Sequence, residues 1–150
     1  MSKSKKLLFT IVTVCLVCAS TLAYGQGQGF GLGIILGEPT GIGVKYWLGT
    51  TNAISGAAAW SFSGEESIHI HADYLFHNFG LIQQNLPLYY GAGARVKLED
   101  DVKVGIRIPV GIAYLFEIPL DTFLEIVPLL DLVPDIDFGL NAAIGVRYYF

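Results

Sequence analysis

The sequence predicts an all-β fold: an eight-stranded antiparallel up-and-down β-barrel that spans a membrane and follows a cleaved N-terminal signal peptide. The last thirteen residues, FGLNAAIGVRYYF at 138–150, alternate in character with the period of two that places successive side chains on opposite faces of a strand. The chain is 53% hydrophobic and 15% charged, yet no run of 18 apolar residues follows the first 25. Backbone groups in lipid must be paired within the protein, so a chain of this kind crosses a bilayer as a closed barrel.

The first 25 residues have the pattern of a secretory signal. Lys3, Lys5 and Lys6 give a basic start, residues 7–22 are largely apolar, and small residues near 21–25 offer a cleavage site. We therefore predict a signal peptide at 1–25 and a barrel domain at 26–150. Both cysteines of the chain lie at positions 15 and 18, so the mature chain is predicted to contain no disulfide and no thiolate ligand.

The charge of the predicted mature chain argues against nucleic acid as a partner. The chain has nine Lys and Arg, of which three leave with the signal, so six remain against thirteen Asp and Glu and the formal charge is near −7. Proteins that bind nucleic acid usually carry a basic surface instead. The sequence also gives no indication of a cofactor.

Eight strand candidates follow the signal, separated by clusters of the turn-forming residues Gly, Pro, Asn, Asp and Ser. Each is close to the ~9–11 residues that a tilted strand needs to cross a bilayer. Pro109 lies inside one candidate and predicts a bulge there, because proline cannot donate to the ladder. The connection 77–87 is long for a turn and suggests that two strands extend beyond the membrane. The candidates are 29–36, 41–48, 53–62, 67–77, 87–98, 102–115, 120–128 and 137–150.

Within each candidate strand, the ionisable residues share one face and the opposite face is apolar. The charged face also holds many glycines, which would leave room for large side chains inside a narrow barrel. We therefore predict that the apolar face meets lipid and that the lumen is closed by a charge network, centred on Glu125 paired with Arg107 or Arg147; a gated ion path is the alternative. The predicted network comprises Lys45, Asp73, Arg95, Lys97, Lys103, Arg107, Asp121, Glu125 and Arg147, together with the lumen histidines His69 and His71.

Aromatic residues of the apolar face cluster at the strand ends, as in the girdles by which membrane barrels contact the lipid–water interfaces. A soluble barrel of lipocalin type, with its apolar face turned inward, would not require this sorting. The predicted girdle comprises Tyr46, Trp60, Tyr74, Tyr90, Tyr114, Tyr148 and Phe150.

Two resemblances agree with this architecture. The final strand, ending in Phe150, resembles the C-terminal signal of bacterial outer-membrane β-barrels, which implies assembly by the barrel-assembly machinery into the outer membrane. The stretches 37–48, 71–77, 86–96 and 105–134 resemble a family of small outer-membrane barrels of unknown function first noted among spirochaete surface proteins. A general similarity to OmpA- and OmpX-type eight-stranded barrels implies the same architecture and location. None of these resemblances implies a particular activity.

Three features invite a functional interpretation. Ser67, His69, His71 and His77 share one face of a strand, and a Ser and His two residues apart are similar to the pair in barrel enzymes that deacylate lipid A. Because these residues are predicted to point inward, away from lipid, we expect no enzyme, and no third ligand for a metal is identifiable. The predicted outer turns are acidic and fit plain solubility, weak divalent-cation binding by oxygen ligands or a negative surface for a basic partner. They contain Glu38, Glu65, Glu66, Glu99, Asp100, Asp101, Asp131 and Asp135.

The resulting prediction is an integral outer-membrane barrel with a closed lumen and a structural or surface-binding role, in contact with the lipid bilayer. A small pore for ions or solutes is the main alternative. A lipid A-modifying enzyme is the less favoured one.

Overall fold

The computed structural model describes residues 29–38, 40–61 and 66–150, apart from the side chain of Glu38, and the predicted signal peptide at 1–25 lies outside these residues. In the described part of the chain, no helix is long and apolar enough to cross a membrane. The described residues form nine strands: β1 Gly29–Glu38, β2 Thr40–Trp47, β3 Asn52–Ser61, β4 Ser67–Gln83, β5 Leu86–Leu98, β6 Val102–Arg107, β7 Val110–Leu115, β8 Leu120–Val133 and β9 Asp137–Tyr149.

The strands close into a barrel. From β4 the order runs through β3, β2, β1 and β9 to β8; both β6 and β7 lie between β8 and β5, and β5 pairs with β4 to complete the ring. Every pairing is antiparallel. Because β6 and β7 occupy one position in succession, the described residues build an eight-position barrel, which confirms the predicted fold class.

The break between β6 and β7 falls at Pro109, but the predicted bulge is wrong. Arg107 pairs with Gly93 and Val110 with Tyr90, so two residues lie between these pairs on both strands and no residue is inserted. Proline removes a donor without shifting the register, and the Pro109 carbonyl still accepts from Gly91 N–H at 3.0 Å. The register irregularity of β6 lies instead in its pairing with β8, where the register shifts between Val104 and Gly105.

Two strand boundaries differ from those predicted. Strand β4 continues to Gln83 and β5 begins at Leu86, so the long connection is an extended hairpin, with a register irregularity between Asn78 and Gln83. Strand β8 continues to Val133, so the turn predicted from 129 is wrong in its first five residues. Asp131 is therefore a strand residue and not a loop residue. Its neighbours Leu130 and Leu132 point outward, so the side chain of Asp131 points inward.

The two ends of the barrel differ in their loops. We call the end that holds Gly29 and Tyr149 the proximal end, and the opposite end, where β1, β3, β5 and β8 terminate, the distal end. The β4–β5 hairpin projects at the proximal end.

The apolar face points outward. Ile106, Ile108 and Val110 are 45%, 51% and 43% exposed, whereas Arg107 between them is 4% exposed. The opposite arrangement would be expected of a soluble barrel, since charged residues are rarely buried in one. The same alternation of outward apolar and inward polar residues recurs around the barrel. It matches the pattern of a β-barrel whose outer surface faces lipid.

Glycines on the inward face stand opposite large side chains. Gly31 faces Tyr149, Gly33 faces Arg147 and Gly145 faces Phe123 in the strand register. A Cβ added to any of these three glycines would lie less than 3 Å from an atom of the facing side chain. The absence of a side chain at these positions is what admits the large groups of the neighbouring strand into a narrow lumen.

Candidate functional site

The lumen contains charged pairs that reach across an intervening strand. Arg95 on β5 and Asp131 on β8 both pair in register with Gly105 of β6. Above this glycine, Arg95 donates from Nε to Asp131 Oδ1 at 3.0 Å and from Nη2 to Oδ2 at 2.6 Å. This two-bond geometry is the one that most strongly joins a guanidinium to a carboxylate. Both residues are buried.

The same arrangement recurs in the middle of the lumen. Gly93 pairs in register with both Asp73 and Arg107, and Arg107 Nε lies 2.7 Å from Asp73 Oδ1, an ion pair whose angle falls outside hydrogen-bond geometry. Arg107 also donates from Nη2 to Glu125 Oε1 at 3.2 Å. One guanidinium therefore serves two carboxylates.

Glu125 has a second partner across a third glycine. Gly111 pairs in register with both Tyr89 and Glu125, and the Tyr89 hydroxyl donates to Glu125 Oε2 at 2.8 Å. The structure thus places Glu125 beside Arg107, one of its two predicted partners. Arg147, the other, pairs with a different carboxylate.

The ion pair between Arg147 and Asp121 lies nearer the proximal end of the lumen. Arg147 donates from Nε to Asp121 Oδ1 at 3.0 Å and from Nη2 to Oδ2 at 3.3 Å. The Tyr149 hydroxyl donates to the same Oδ2 at 2.6 Å, and the Arg147 guanidinium stacks over the Phe123 ring at 4.1 Å. A buried charge is tolerated when its hydrogen-bonding capacity is met in this way.

Lys45 lies apart from the carboxylates of the network. It is fully buried, and its Nζ is 2.7 Å from His77 Nε2 and 4.3 Å from the Trp47 ring centroid. His77 Nδ1 lies 3.1 Å from the carbonyl oxygen of Thr51, which can only accept, so this nitrogen carries the proton in a neutral ring. Nε2 then accepts from Lys45.

Lys97 and Lys103 do not join the buried network. They lie at the distal end, 23% and 29% exposed, with Nζ atoms 2.9 and 3.1 Å from the two carboxylate oxygens of Glu99. Hydrogen bonds from Lys97 and then Lys103 hold the pKa of Glu99 below its ordinary value. Glu99, expected as a simple loop charge, therefore forms part of a distal cluster.

The predicted lumen histidines lie near the distal half of the lumen. His69 Nε2 is 3.0 Å from Ser67 Oγ, and both residues are buried. His71 Nε2 is 3.8 Å from Asp73 Oδ2. Within residues 29–38, 40–61 and 66–150, no group of three or more His, Cys, Asp or Glu residues is arranged to hold a metal ion.

A small internal cavity lies among the described side chains of the lumen. A cavity of about 20 Å³ has His71, Asp73, Glu125 and Arg147 in its lining, and Ser55 and Phe123 are among its other lining residues. A space of this size accommodates roughly one water molecule. The proximal lumen next to it is occupied by Trp47, Tyr89 and Tyr149, each at most 4% exposed.

The predicted girdle residues lie on the outer surface. At the proximal end, tyrosines pair with phenylalanines two residues further along the chain: the Tyr74–Phe76, Tyr114–Phe116 and Tyr148–Phe150 centroids are 5.0, 4.9 and 5.2 Å apart, all edge to face. Tyr46 and Tyr90 are about half exposed at the same end. Trp60, 40% exposed, lies at the distal end.

Four residues of the lumen were missing from the predicted network. Tyr89, Tyr149 and Asp131 supply hydrogen bonds to it, and His77 contacts Lys45. A signal was present, because all four share the inward parity of their strands. Sequence alone does not assign the tyrosines to the lumen, because tyrosine suits either face of a membrane strand. It does not assign Asp131 there either, because Pro134 and Asp135 suggest an early turn.

The fold is that of the eight-stranded outer-membrane β-barrels. The chain is similar in structure to the N-terminal β-barrel domain of OprF from Pseudomonas aeruginosa, with a TM-score of 0.69 and 16% sequence identity over 83% of this chain and 100% of that one. It is also similar to Neisserial surface protein A (NspA), with a TM-score of 0.56 and 11% identity over 81% of this chain and 93% of that one. At these identities the likeness establishes the fold alone.

Sequence comparison does not assign the chain to a particular family. No protein-family model matches the chain, and no curated protein matches it. The resemblance to a spirochaete-type family therefore stays a prediction.

Proposed function

We propose that this chain is an integral protein of the bacterial outer membrane whose lumen is closed and whose role is structural or surface-binding. The observation that carries the proposal is the packing of the lumen, where three arginine–carboxylate clusters lie at successive levels and a cavity of about 20 Å³ lies beside Asp73, Glu125 and Arg147. An eight-stranded barrel is just wide enough for its side chains to fill it.

The outward face supports the membrane location. Large apolar residues are about half exposed along the strands, and tyrosines and phenylalanines collect at the proximal end. In water such a surface would promote association, whereas in a bilayer it lies against acyl chains with aromatic rings at the interface.

Closure follows from the cost of separating buried charges. A solute moving through the lumen would have to part Arg95 from Asp131 at the distal level and Arg147 from Asp121 at the proximal level. Removing one partner of a buried pair costs about 3–5 kcal/mol, because the other charge is left uncompensated. Two such barriers in series oppose conduction.

Conductance in planar bilayers tests this proposal. The purified barrel is expected to give no steady channels once heat-dependent gel mobility has shown that it is folded. Arg107→Ala, which frees Asp73 and Glu125, is the informative variant, and Asp135→Asn on the distal surface is its matched control. Steady channels in the wild type that change with Arg107→Ala but not with Asp135→Asn would overturn the closed-lumen proposal in favour of a small pore.

Assembly is proposed to proceed through the C-terminal strand. Strand β9 pairs with both β1 and β8, and its outward residue Tyr148 packs edge to face against Phe150, which directly follows the strand. We expect Phe150→Ala to lower the folded fraction in the outer membrane by reducing recognition by the assembly machinery. Outward Phe138→Ala, at the distal end of the same strand, is the control.

An enzymatic role is suggested by the contact of 3.0 Å between Ser67 Oγ and His69 Nε2. This distance suits a nucleophile and its base. However, the two residues are 5% and 6% exposed and belong to the inward face, where a lipid substrate has no access. The proposal therefore remains a non-enzymatic barrel.

A further inference from the structure

A groove of about 690 Å³ lies on the proximal end, between the tip of the β4–β5 hairpin and the β7–β8 turn. Leu115 N–H donates to the Asn85 carbonyl at 2.8 Å and joins its two walls. The β7–β8 turn is itself held by Phe116 N–H donating to the Leu120 carbonyl at 3.0 Å. The groove is thus part of the folded structure and has the size of a small-molecule site.

The lining is partly aromatic and partly polar. Tyr114 and Phe116, packed edge to face, form one wall with Ile118, which is 59% exposed. Gln84 and Asn85 contribute amide side chains, and Glu117 contributes a carboxylate. The described lining includes no Lys, Arg or His, so its formal charge is negative.

The groove continues the surface proposed to face lipid. Tyr114 and Phe116 belong to the proximal aromatic girdle, where a membrane barrel meets the headgroups. A ligand bound there would have apolar chains beside Phe116 and Ile118 and a polar group beside Gln84, Asn85 and Glu117. That division is the one a phospholipid has.

We propose that this groove binds a zwitterionic phospholipid with a primary ammonium headgroup, of the phosphatidylethanolamine type. Glu117 accepts hydrogen bonds from the ammonium, a charge-assisted interaction. The amide N–H groups of Gln84 and Asn85 donate to phosphate oxygens. Acyl chains lie over Phe116 and Ile118.

The charge of Glu117 and its capacity to accept hydrogen bonds together select this headgroup over others. A choline headgroup carries the same charge but has no N–H donor for the carboxylate. An anionic headgroup would meet Glu117 with no basic side chain among the residues that line the groove. Selectivity for the primary ammonium is therefore the specific consequence of the lining.

The inference rests on the proposed membrane location, and its test separates the two. The mature chain would be placed in nanodiscs of equal dioleoyl-phosphatidylethanolamine and dioleoyl-phosphatidylcholine, and the lipids that it retains would be counted by native mass spectrometry. Wild type is expected to retain phosphatidylethanolamine roughly tenfold over phosphatidylcholine, the effect of one charge-assisted hydrogen bond. Glu117→Gln, which keeps the shape and removes the charge, should lose most of this preference.

Asp135→Asn, an exposed acid at the distal end, is the matched control and should retain the wild-type preference. Stepwise N-methylation of the headgroup should reduce retention with each lost N–H. Equal retention of both lipids by wild type, or the same loss with Asp135→Asn as with Glu117→Gln, would overturn the groove proposal alone. Failure of the folded chain to enter the bilayer would overturn the proposed function as well.

Discussion

Arg95 and Asp131 meet directly above Gly105, on strands β5 and β8 that are separated by β6. The glycine is the reason they can meet, because any side chain at that position would stand between them. Asp73 and Arg107 meet in the same way over Gly93, and Tyr89 and Glu125 over Gly111. A row of large residue, glycine and large residue is thus the repeated unit that fills this lumen.

The glycine rows predict a steric effect on stability. A Cβ on Gly105 would lie 2.5 Å from Asp131 Oδ1, so Gly105→Ala should push the carboxylate away from Arg95. We expect a loss of about 1–3 kcal/mol in the free energy of unfolding, the usual cost of overpacking. Urea unfolding in detergent micelles measures it. Gly49→Ala is the control, since a Cβ there meets nothing within 4 Å.

Loss of one charge from the distal pair should cost more. Asp131→Ala leaves the Arg95 guanidinium buried without its carboxylate, for which we expect about 3–5 kcal/mol of destabilisation. The double variant Arg95→Met with Asp131→Leu removes both charges and should recover much of that loss. Equal instability of the single and double variants in urea would show that packing, rather than the uncompensated charge, is responsible.

The direction of the apolar face gives a third prediction. The side chain of Val110 points outward near the middle of the barrel wall that β6 and β7 form. Val110→Arg should therefore destabilise the barrel in lipid by about 2–4 kcal/mol. Leu81→Arg is the matched comparison, because Leu81 is 64% exposed at the hairpin tip beyond the girdle and should change little. The measurement is reversible unfolding in vesicles. Similar costs at both positions would contradict a bilayer placed between the girdles.

The distal cluster predicts a pH effect of known sign. Hydrogen bonds from Lys97 and Lys103 lower the pKa of Glu99 in the folded chain, so the unfolded chain binds the proton more readily. The resulting stability is complete above the ordinary carboxyl pKa and is lost as pH falls through the lowered folded value. The contribution should be below about 1 kcal/mol, because the cluster is solvent-screened.

Unfolding of wild type and Glu99→Gln across this acidic range tests the point. The difference in stability between them should shrink as the pH falls. A difference that is constant with pH would assign the effect to shape and not to charge. Asp100→Asn, in the same turn, provides the comparison for general surface charge.

The Ser67–His69 contact yields a prediction of no effect. Ser67→Ala and His69→Ala should leave lipid A unchanged by mass spectrometry when each variant replaces the wild type, since both side chains lie on the closed inward face. Loss of an acyl-chain modification in both variants, with folded barrel still present, would establish an enzyme instead.

Most of the fold followed from local pattern. Alternation with period two depends on nothing beyond the strand itself, which is why the outward direction of Ile106 and Val110 and the inward direction of Arg107 were predictable. The errors arose where propensity and tertiary pairing disagree. Pro109 interrupts a strand without shifting its register because both neighbouring strands hold the chain in place, and β8 outlasts its predicted end because β9 continues to pair with it.

The sequence by itself determined which residues of each strand face inward, because that depends only on the geometry of consecutive residues. It did not determine which inward charge meets which. That choice depends on the stagger between strands, which brings Arg95 to Asp131 over Gly105 and places Lys45 beside His77. Only closure of the barrel fixes this stagger, so the pairing inside the lumen was decided by the tertiary structure.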